Sequence, residues 1–408
     1  MEYKPFKNRI YISSPTMHGE ELKYITDAYN TNWVSTVGEN IDAIEKSFAG
    51  MLGRKYAVAL SNCTSALHLS IRVLAEEIYG ESENCRGALY GKKVFASDLT
   101  FTATVNPICY EDGEVVFIDS EYDTWNMDPD ALENAFVKYP DVKMVVLAHL
   151  YGTPAKLDEI KKICEGHGAV LIEDAAESLG AYYKGKQTGG FGDVSTISFN
   201  GNKIITGSCG GMFVTDNAEE AALVRKWSTQ CRENTPWYQH KDIGYNYRIS
   251  NIVAGIVRGQ LPYLCEHIEQ KKKIYERYKK GFEGLPVSMN PFDEENSVPN
   301  YWLSCMIIDK DAMCKQERTD YLVSFVKEKG KTCPTEILEK IEALNAEGRP
   351  IWKPLHMQPV YKNNGFVKAA DCSVGEDIFE RGLCLPSDNK MTPEQQDIII
   401  SIVRSCFD

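Results

Sequence analysis

The chain has no CxxC, no paired cysteine and histidine spacing of a zinc site, and no run of 18 apolar residues. The first two absences argue against a metal site and a redox dithiol. The third argues against a membrane-spanning helix. Positive charge is also short. Lys and Arg total 45 against 58 Asp and Glu, a formal net charge of −13. That is the wrong sign for a nucleic-acid or anionic-membrane partner. There is no internal repeat and no low-complexity tract. The opening Met1-Glu2-Tyr3-Lys4 has no apolar signal core. Thirteen cysteines are scattered singly, so the chain is expected to work in a reducing cytoplasm.

What is present suggests two domains, since 408 residues exceed one small core. Strand-like runs at Tyr56–Ser61, Val94–Ser97, Val115–Asp119, Val142–His149, Ala169–Asp174, Ser195–Phe199 and Gly211–Thr215 alternate with helical patterns. In the helix that starts at Thr64, Leu67, Ile71 and Leu74 share one face. Such alternation predicts an α/β fold, a mostly parallel sheet covered on both faces, with ligands at the carboxyl ends of its strands. Helices are expected over Glu219–Glu233, Ser250–Glu283 and Arg318–Lys329, with another after Thr392-Pro393-Glu394. A strand is expected near Trp302–Ile308. Gly80–Lys92 reads as an inserted surface loop. Residues 1–260 are taken as the large domain and 261–408 as a smaller α+β domain.

Lys203 stands in a polar turn, Asn200-Gly201-Asn202-Lys203, followed by apolar Ile204-Ile205. An isolated turn lysine is usually a solvated one. Here the apolar flank suggests a lysine held against a core, as a Schiff-base lysine must be. Asp174 closes an apolar strand. It is either a helix cap or the salt-bridge partner of a protonated ring nitrogen. Ser61–Ser65 opens a helix after a strand, which makes Thr64 and Ser65 either caps or anion ligands. Phe101 is either core or a ring that stacks on a flat ligand. Two further clusters, Gly244–Asn251 and Arg349–His356, suit polar and anionic ligands, with turn formation as the plainer reading of each.

Taken in order, Ser61–Leu67, Thr100–Thr104, His149–Gly152, Glu173–Gly180, Ser198–Gly211 and Gly244–Asn251 resemble the DegT/DnrJ/EryC1/StrS family of pyridoxal phosphate (PLP)-dependent sugar aminotransferases. The resemblance covers nearly the whole chain. It implies the aspartate-aminotransferase-like fold (fold type I), PLP as cofactor, and a homodimer with shared active sites. By it, Lys203 matches the Schiff-base lysine and Asp174 the partner of the pyridine nitrogen. Glu177 falls where the family usually has glutamine. Thr64, Ser65 and Ser198 match phosphate ligands, and Phe101 matches the stacking aromatic. Asn246 matches a phosphate contact supplied by the neighbouring subunit. Relatives that are PLP-dependent sugar dehydratases replace the lysine with histidine, which position 203 does not. A non-catalytic regulatory member of the fold would need neither Lys203 nor Asp174.

Within the family, Phe199–Thr206, Pro107–Tyr110, Cys231–Asn234 with Tyr238 and His240, and Arg349–His356 are similar to UDP-sugar 4-aminotransferases of the bacillosamine pathway. The resemblance implies L-glutamate as donor and UDP-2-acetamido-4-keto-2,4,6-trideoxyhexose as acceptor, for cell-surface glycan biosynthesis. Another nucleotide-linked 3- or 4-keto sugar, as in a perosamine-type synthase, is the alternative. Asn32, Trp33, Val34, Ser35, Tyr238, His240, Arg349, Trp352, Lys353 and His356 are the candidate substrate contacts.

Overall fold

The computed structural model describes residues 3–82 and 86–408. Its main sheet has eight strands. They are β1 (Tyr56–Leu60), β2 (Lys93–Ser97), β3 (Glu114–Ile118), β4 (Met144–Ala148), β5 (Val170–Asp174), β6 (Val194–Ser198), β7 (Gly211–Thr215) and β8 (Gly365–Val367), in the order β1-β7-β6-β5-β4-β2-β3-β8. Only β7 runs against its neighbours. The central strands are buried along their whole length, as a sheet covered by helices on both faces requires. The helix Cys63–Tyr79 packs on one face with Leu67, Ile71 and Leu74 in the core. Glu39–Met51 and Asn251–Gln260 cover the other, where Phe48, Phe199, Ile205 and Val257 meet. Among the described residues no helix is long and apolar enough to cross a membrane.

The C-terminal part carries a four-stranded sheet, Val287–Met289, Cys305–Ile308, Gly382–Cys384 and Arg349–Pro350 in that order. Helices Leu264–Gly281, Pro334–Ala343 and Pro393–Arg404 enclose its core. The last helix starts on a capping box between Thr392 and Gln395. The chain crosses the expected division at residue 260 twice: β8 adds itself to the edge of the main sheet, and Ile10 packs into the C-terminal core.

Three expected elements differ. The helix expected over Arg318–Lys329 is a hairpin, Gln316–Arg318 paired with Val323–Phe325. Its β-branched and aromatic residues favour strand. Leu322, Phe325 and Val326 only imitate helical spacing, and Leu322 and Val326 lie exposed. The helix after residue 217 stops at Trp227, because Gln230 and Cys231 take positive φ and Gln230 turns to pair with Tyr245. Ser250–Glu283 is two helices separated at Leu261–Tyr263, where Pro262 has no N–H to donate. The Gly80–Lys92 loop, of which 83–85 lie outside the described residues, is not wholly at the surface. Leu89 is fully buried, and Ala88 N–H donates to the Glu111 carboxylate at 2.7 Å.

Candidate active site

β1, β2, β5 and β6 end at one edge of the main sheet, and β7 begins there. A cavity of about 730 Å³ opens over this edge, closed on the far side by Trp302, Leu303 and the segment Arg349–Lys353. Gly211 is where β7 meets the start of helix Cys63–Tyr79. A Cβ there would lie 2.4 Å from the Cys63 nitrogen, so only glycine lets the two approach.

Lys203 rises from the turn that follows β6. Its N–H closes the turn on Asn200 O at 3.0 Å, while Ile204 and Ile205 anchor the turn in the core. The Lys203 Nζ lies 3.2 Å from Glu177 Oε1 and 4.0 Å from the centre of the Trp302 ring. That ring is fixed by its own Nε1–H, which donates to Asn202 O at 2.7 Å. An ammonium over an indole face is held electrostatically as well as sterically.

Asp174 is the last residue of β5 and is buried. Thr104 Oγ1–H donates to its Oδ2 at 2.8 Å, and Ala176 N–H to its Oδ1 at 3.1 Å. Among the described residues it forms no ion pair. Burial pushes its carboxyl above the usual range, and the Thr104 bond pulls it part of the way back. Burial also raises Glu177, against the pull of Lys203. The neighbouring Glu173 goes the other way. It is buried, but His149 and the amides of Gly189 and Gly192 hold its carboxyl down at about 2. Glu173 therefore fixes the loop, and Asp174 is the under-compensated charge facing the cavity.

At the other end, Asn62 caps helix Cys63–Tyr79 by accepting from Ser65 N–H at 2.7 Å. The first N–H groups of a helix have no partner within it, and they carry the positive end of its dipole. Thr64 and Ser198 line the cavity beside them. Ser65 is buried behind Asn62 and its Oγ donates to Asn62 Oδ1. Phe101 is half exposed rather than core. It lines the mouth with its ring 5.5 Å from that of Trp352.

The cavity thus gathers Lys203, Asp174, Glu177, Thr64, Ser198, Phe101, Arg349, Trp352 and Lys353. It does not gather the remaining candidates. Asn32, Trp33, Val34 and Ser35 lie exposed by the start of helix Asn251–Gln260, where Asn251 binds the carbonyls of Trp33 and Ser35. Tyr238, His240 and Asn246 are exposed on an arm running from Thr229 to Asn246. His356 is not gathered either: its ring is taken by Asp98 Oδ2 at 2.6 Å and Glu376 Oε1 at 3.0 Å and stacks on Phe366, and it does not line the cavity. Sequence reasoning missed Thr104 and Trp302 as site residues. Thr104 falls inside a quoted motif. Trp302 comes from a distant segment just before the strand Cys305–Ile308 and carries no local signal.

Residues 15–404 match the DegT/DnrJ/EryC1/StrS aminotransferase family. The chain is 39% identical over 404 residues to Bacillus subtilis EpsN, described as a pyridoxal phosphate-dependent aminotransferase, covering 98% of this chain and 96% of that protein. It is 32% identical to the GDP-perosamine synthase of Escherichia coli O157:H7, covering 95% of each. The structure superposes on Spr1654 of Streptococcus pneumoniae in its PLP form with a TM-score of 0.82 at 21% identity, covering 98% of this chain and 100% of that one. The residues present fit this cofactor. A buried carboxylate without an ion pair suits a protonated ring nitrogen, a lysine ends in the same cavity, and a helix start suits a phosphate. The chain belongs to the DegT/DnrJ/EryC1/StrS aminotransferase family and is a PLP-dependent sugar aminotransferase.

Proposed function

We propose that the protein moves the amino group of L-glutamate to a nucleotide-linked keto sugar, UDP-2-acetamido-4-keto-2,4,6-trideoxyhexose, in the cytoplasm, for cell-surface glycan biosynthesis. The observation that carries this reading is one cavity in which Lys203 Nζ and the under-compensated Asp174 both lie, with cations Arg349 and Lys353 at its wall. Bound PLP would supply a carrier for the amino group and an electron sink for the broken C–H bond. Lys203 Nζ holds the cofactor and carries protons to and from substrate carbon. Asp174 keeps the ring nitrogen protonated. The helix start, Thr64 and Ser198 hold the phosphate, and Phe101 covers the ring. Glu177 orients Lys203, and Trp302 limits where its Nζ can go. Arg349 and Lys353 meet the diphosphate of the acceptor, and Trp352 shields the sugar from water.

The active unit is a homodimer in this reading. The arm bearing Asn246, Tyr238 and His240, and the exposed Trp33–Ser35 segment, reach the partner's cavity. Trp33, Val34, Trp237, Tyr238 and Ile243 are all more than half exposed in the single chain, an apolar surface suited to such a contact. A second acceptor, a GDP-linked 4-keto sugar, is favoured by the relative named as a GDP-perosamine synthase. The test incubates holoenzyme and L-glutamate with UDP-, GDP- and TDP-linked 3-keto and 4-keto sugars and reads product mass. Amination of the UDP-linked 4-keto sugar alone is expected. Lys203→Ala is expected to lower turnover by at least about 10⁴-fold while still binding cofactor without a covalent link. No aminated sugar with any acceptor, or near-native turnover in Lys203→Ala, overturns the reading.

A further inference from the structure

The turn that carries Lys203 is held from behind by side chains of other elements. Trp302 Nε1–H donates to Asn202 O at 2.7 Å, Thr206 N–H donates to Gln260 Oε1 at 3.0 Å, and His267 Nδ1 lies 2.7 Å from Ile204 O. Of these three holding side chains only His267 is titratable. A carbonyl only accepts, so His267 Nδ1 carries a hydrogen. The His267 Nε2 lies 2.7 Å from His18 Nε2. Two such nitrogens at that distance share one hydrogen, which His18 donates while His267 is neutral.

His18 is fixed in turn. Its ring stacks on Tyr263 at 3.7 Å with planes 5° apart. Its backbone N–H and that of Gly19 donate to the Glu21 carboxylate, and Gln260 Nε2–H donates to Glu21 Oε1 at 3.0 Å and Thr16 O at 2.7 Å. The segment Thr16–Glu21 therefore clamps both Gln260 and His267, two of the three posts beneath the lysine turn.

We infer that His267 is a positioning residue for Lys203, and that its imidazole pair with His18 makes this positioning depend on one shared proton. A second proton at the bridge would set two N–H groups against each other and place a positive charge there. The charged and titratable groups facing the pair are Glu21 at the start of its helix, Tyr263 below His18, and Glu266 and Lys271 on the helix of His267 itself. Burial lowers the His267 pKa, and the field of His18 adds to this. A histidine held neutral in the fold contributes stability above its ordinary range and loses it as pH falls below about 6.5. The inference rests on the role assigned to Lys203.

The test compares holoenzyme carrying His267→Leu, His267→Asn and His18→Phe. Asn offers an amide N–H to the Ile204 carbonyl but no bridge to His18. Phe keeps the stack on Tyr263 and removes the shared proton. Each protein is titrated from pH 8.5 to 5.5 while the absorbance of the lysine-bound cofactor and the melting temperature are followed. Wild type is expected to show an acid inflection in both. His18→Phe is expected to lose the inflection and keep its neutral-pH kcat. His267→Leu is expected to lower kcat about 10-fold or more with the acceptor KM unchanged, since small displacements of a reacting group are expensive. His267→Asn is expected to restore most of that loss. A His18→Phe titration identical to wild type, or unchanged absorbance and kcat in His267→Leu, overturns the inference even where wild type is active. Absence of a lysine-bound absorbance in wild type itself overturns the reading of Lys203 and the inference with it.

Discussion

Thr104 Oγ1–H donates to Asp174 Oδ2 at 2.8 Å, and no cation faces that carboxylate within ion-pair distance among the described residues. Hydroxyl and backbone donors alone do not repay the burial of a full charge. The folded pKa of Asp174 is raised, with burial as the main cause. Its stabilising share is full below the ordinary carboxylate range and is lost as pH rises through the raised value. At neutral pH the cofactor-free protein carries that loss.

Asp174→Asn should therefore raise the melting temperature of cofactor-free protein near neutral pH and weaken PLP binding by about 10- to 100-fold, the worth of a hydrogen bond to a charged group. Differential scanning fluorimetry and a PLP titration read the two effects. A melting temperature and an affinity that fall together would show that Asp174 is merely structural.

Glu177 offers a second test, because its two oxygens have separate jobs. Oε2 accepts from Tyr151 N–H at 2.8 Å, and Oε1 meets Lys203 Nζ at 3.2 Å. A glutamine amide still supplies one acceptor for the lysine, so Glu177→Gln is expected to stay within about 10-fold of wild-type kcat. Glu177→Leu, which leaves Tyr151 N–H unpaired and Lys203 unguided, is expected to lose about 100-fold or more. Equal rates in the two variants would remove Glu177 from the site.

These residues also mark how far the sequence alone reaches. β5 and β6 end within a residue of their expected ends, because apolar runs stop there at polar turns. Lys203 was legible from Asn200-Gly201-Asn202 before it and Ile204-Ile205 after it. Trp302, Gln260 and His267 were not, because their contacts with the lysine turn span 54 to 100 residues of sequence. No local pattern encodes such a contact. His356 stands outside the cavity for a related reason. Its neighbours Arg349, Trp352 and Lys353 do line the cavity, but Asp98 captures the imidazole, and nothing near residue 356 announces that partner.

His356 is thus expected to affect stability rather than substrate binding. Burial opposes its charge, but Asp98 and then Glu376 outweigh it and raise its pKa. A histidine raised in the fold contributes stability that is full below about 6.5 and is lost as pH rises through the raised value. His356→Gln should lower the melting temperature more at pH 6 than at pH 9 and leave the acceptor KM unchanged. A raised KM with unchanged stability would return His356 to the substrate site.

Asn246 tests the shared site. It is exposed on the arm and absent from its own chain's cavity. If it serves the partner, Lys203→Ala and Asn246→Ala subunits should each be nearly inactive alone, yet recover activity when mixed and allowed to exchange. A mixed dimer has one site built from wild-type Lys203 and wild-type Asn246. Half of the dimers in an equal mixture are mixed, so recovery should approach about a quarter of wild-type activity. Steady-state rates before and after exchange measure it. Recovery that never exceeds the sum of the two parents would place Asn246 in its own subunit's site or in none.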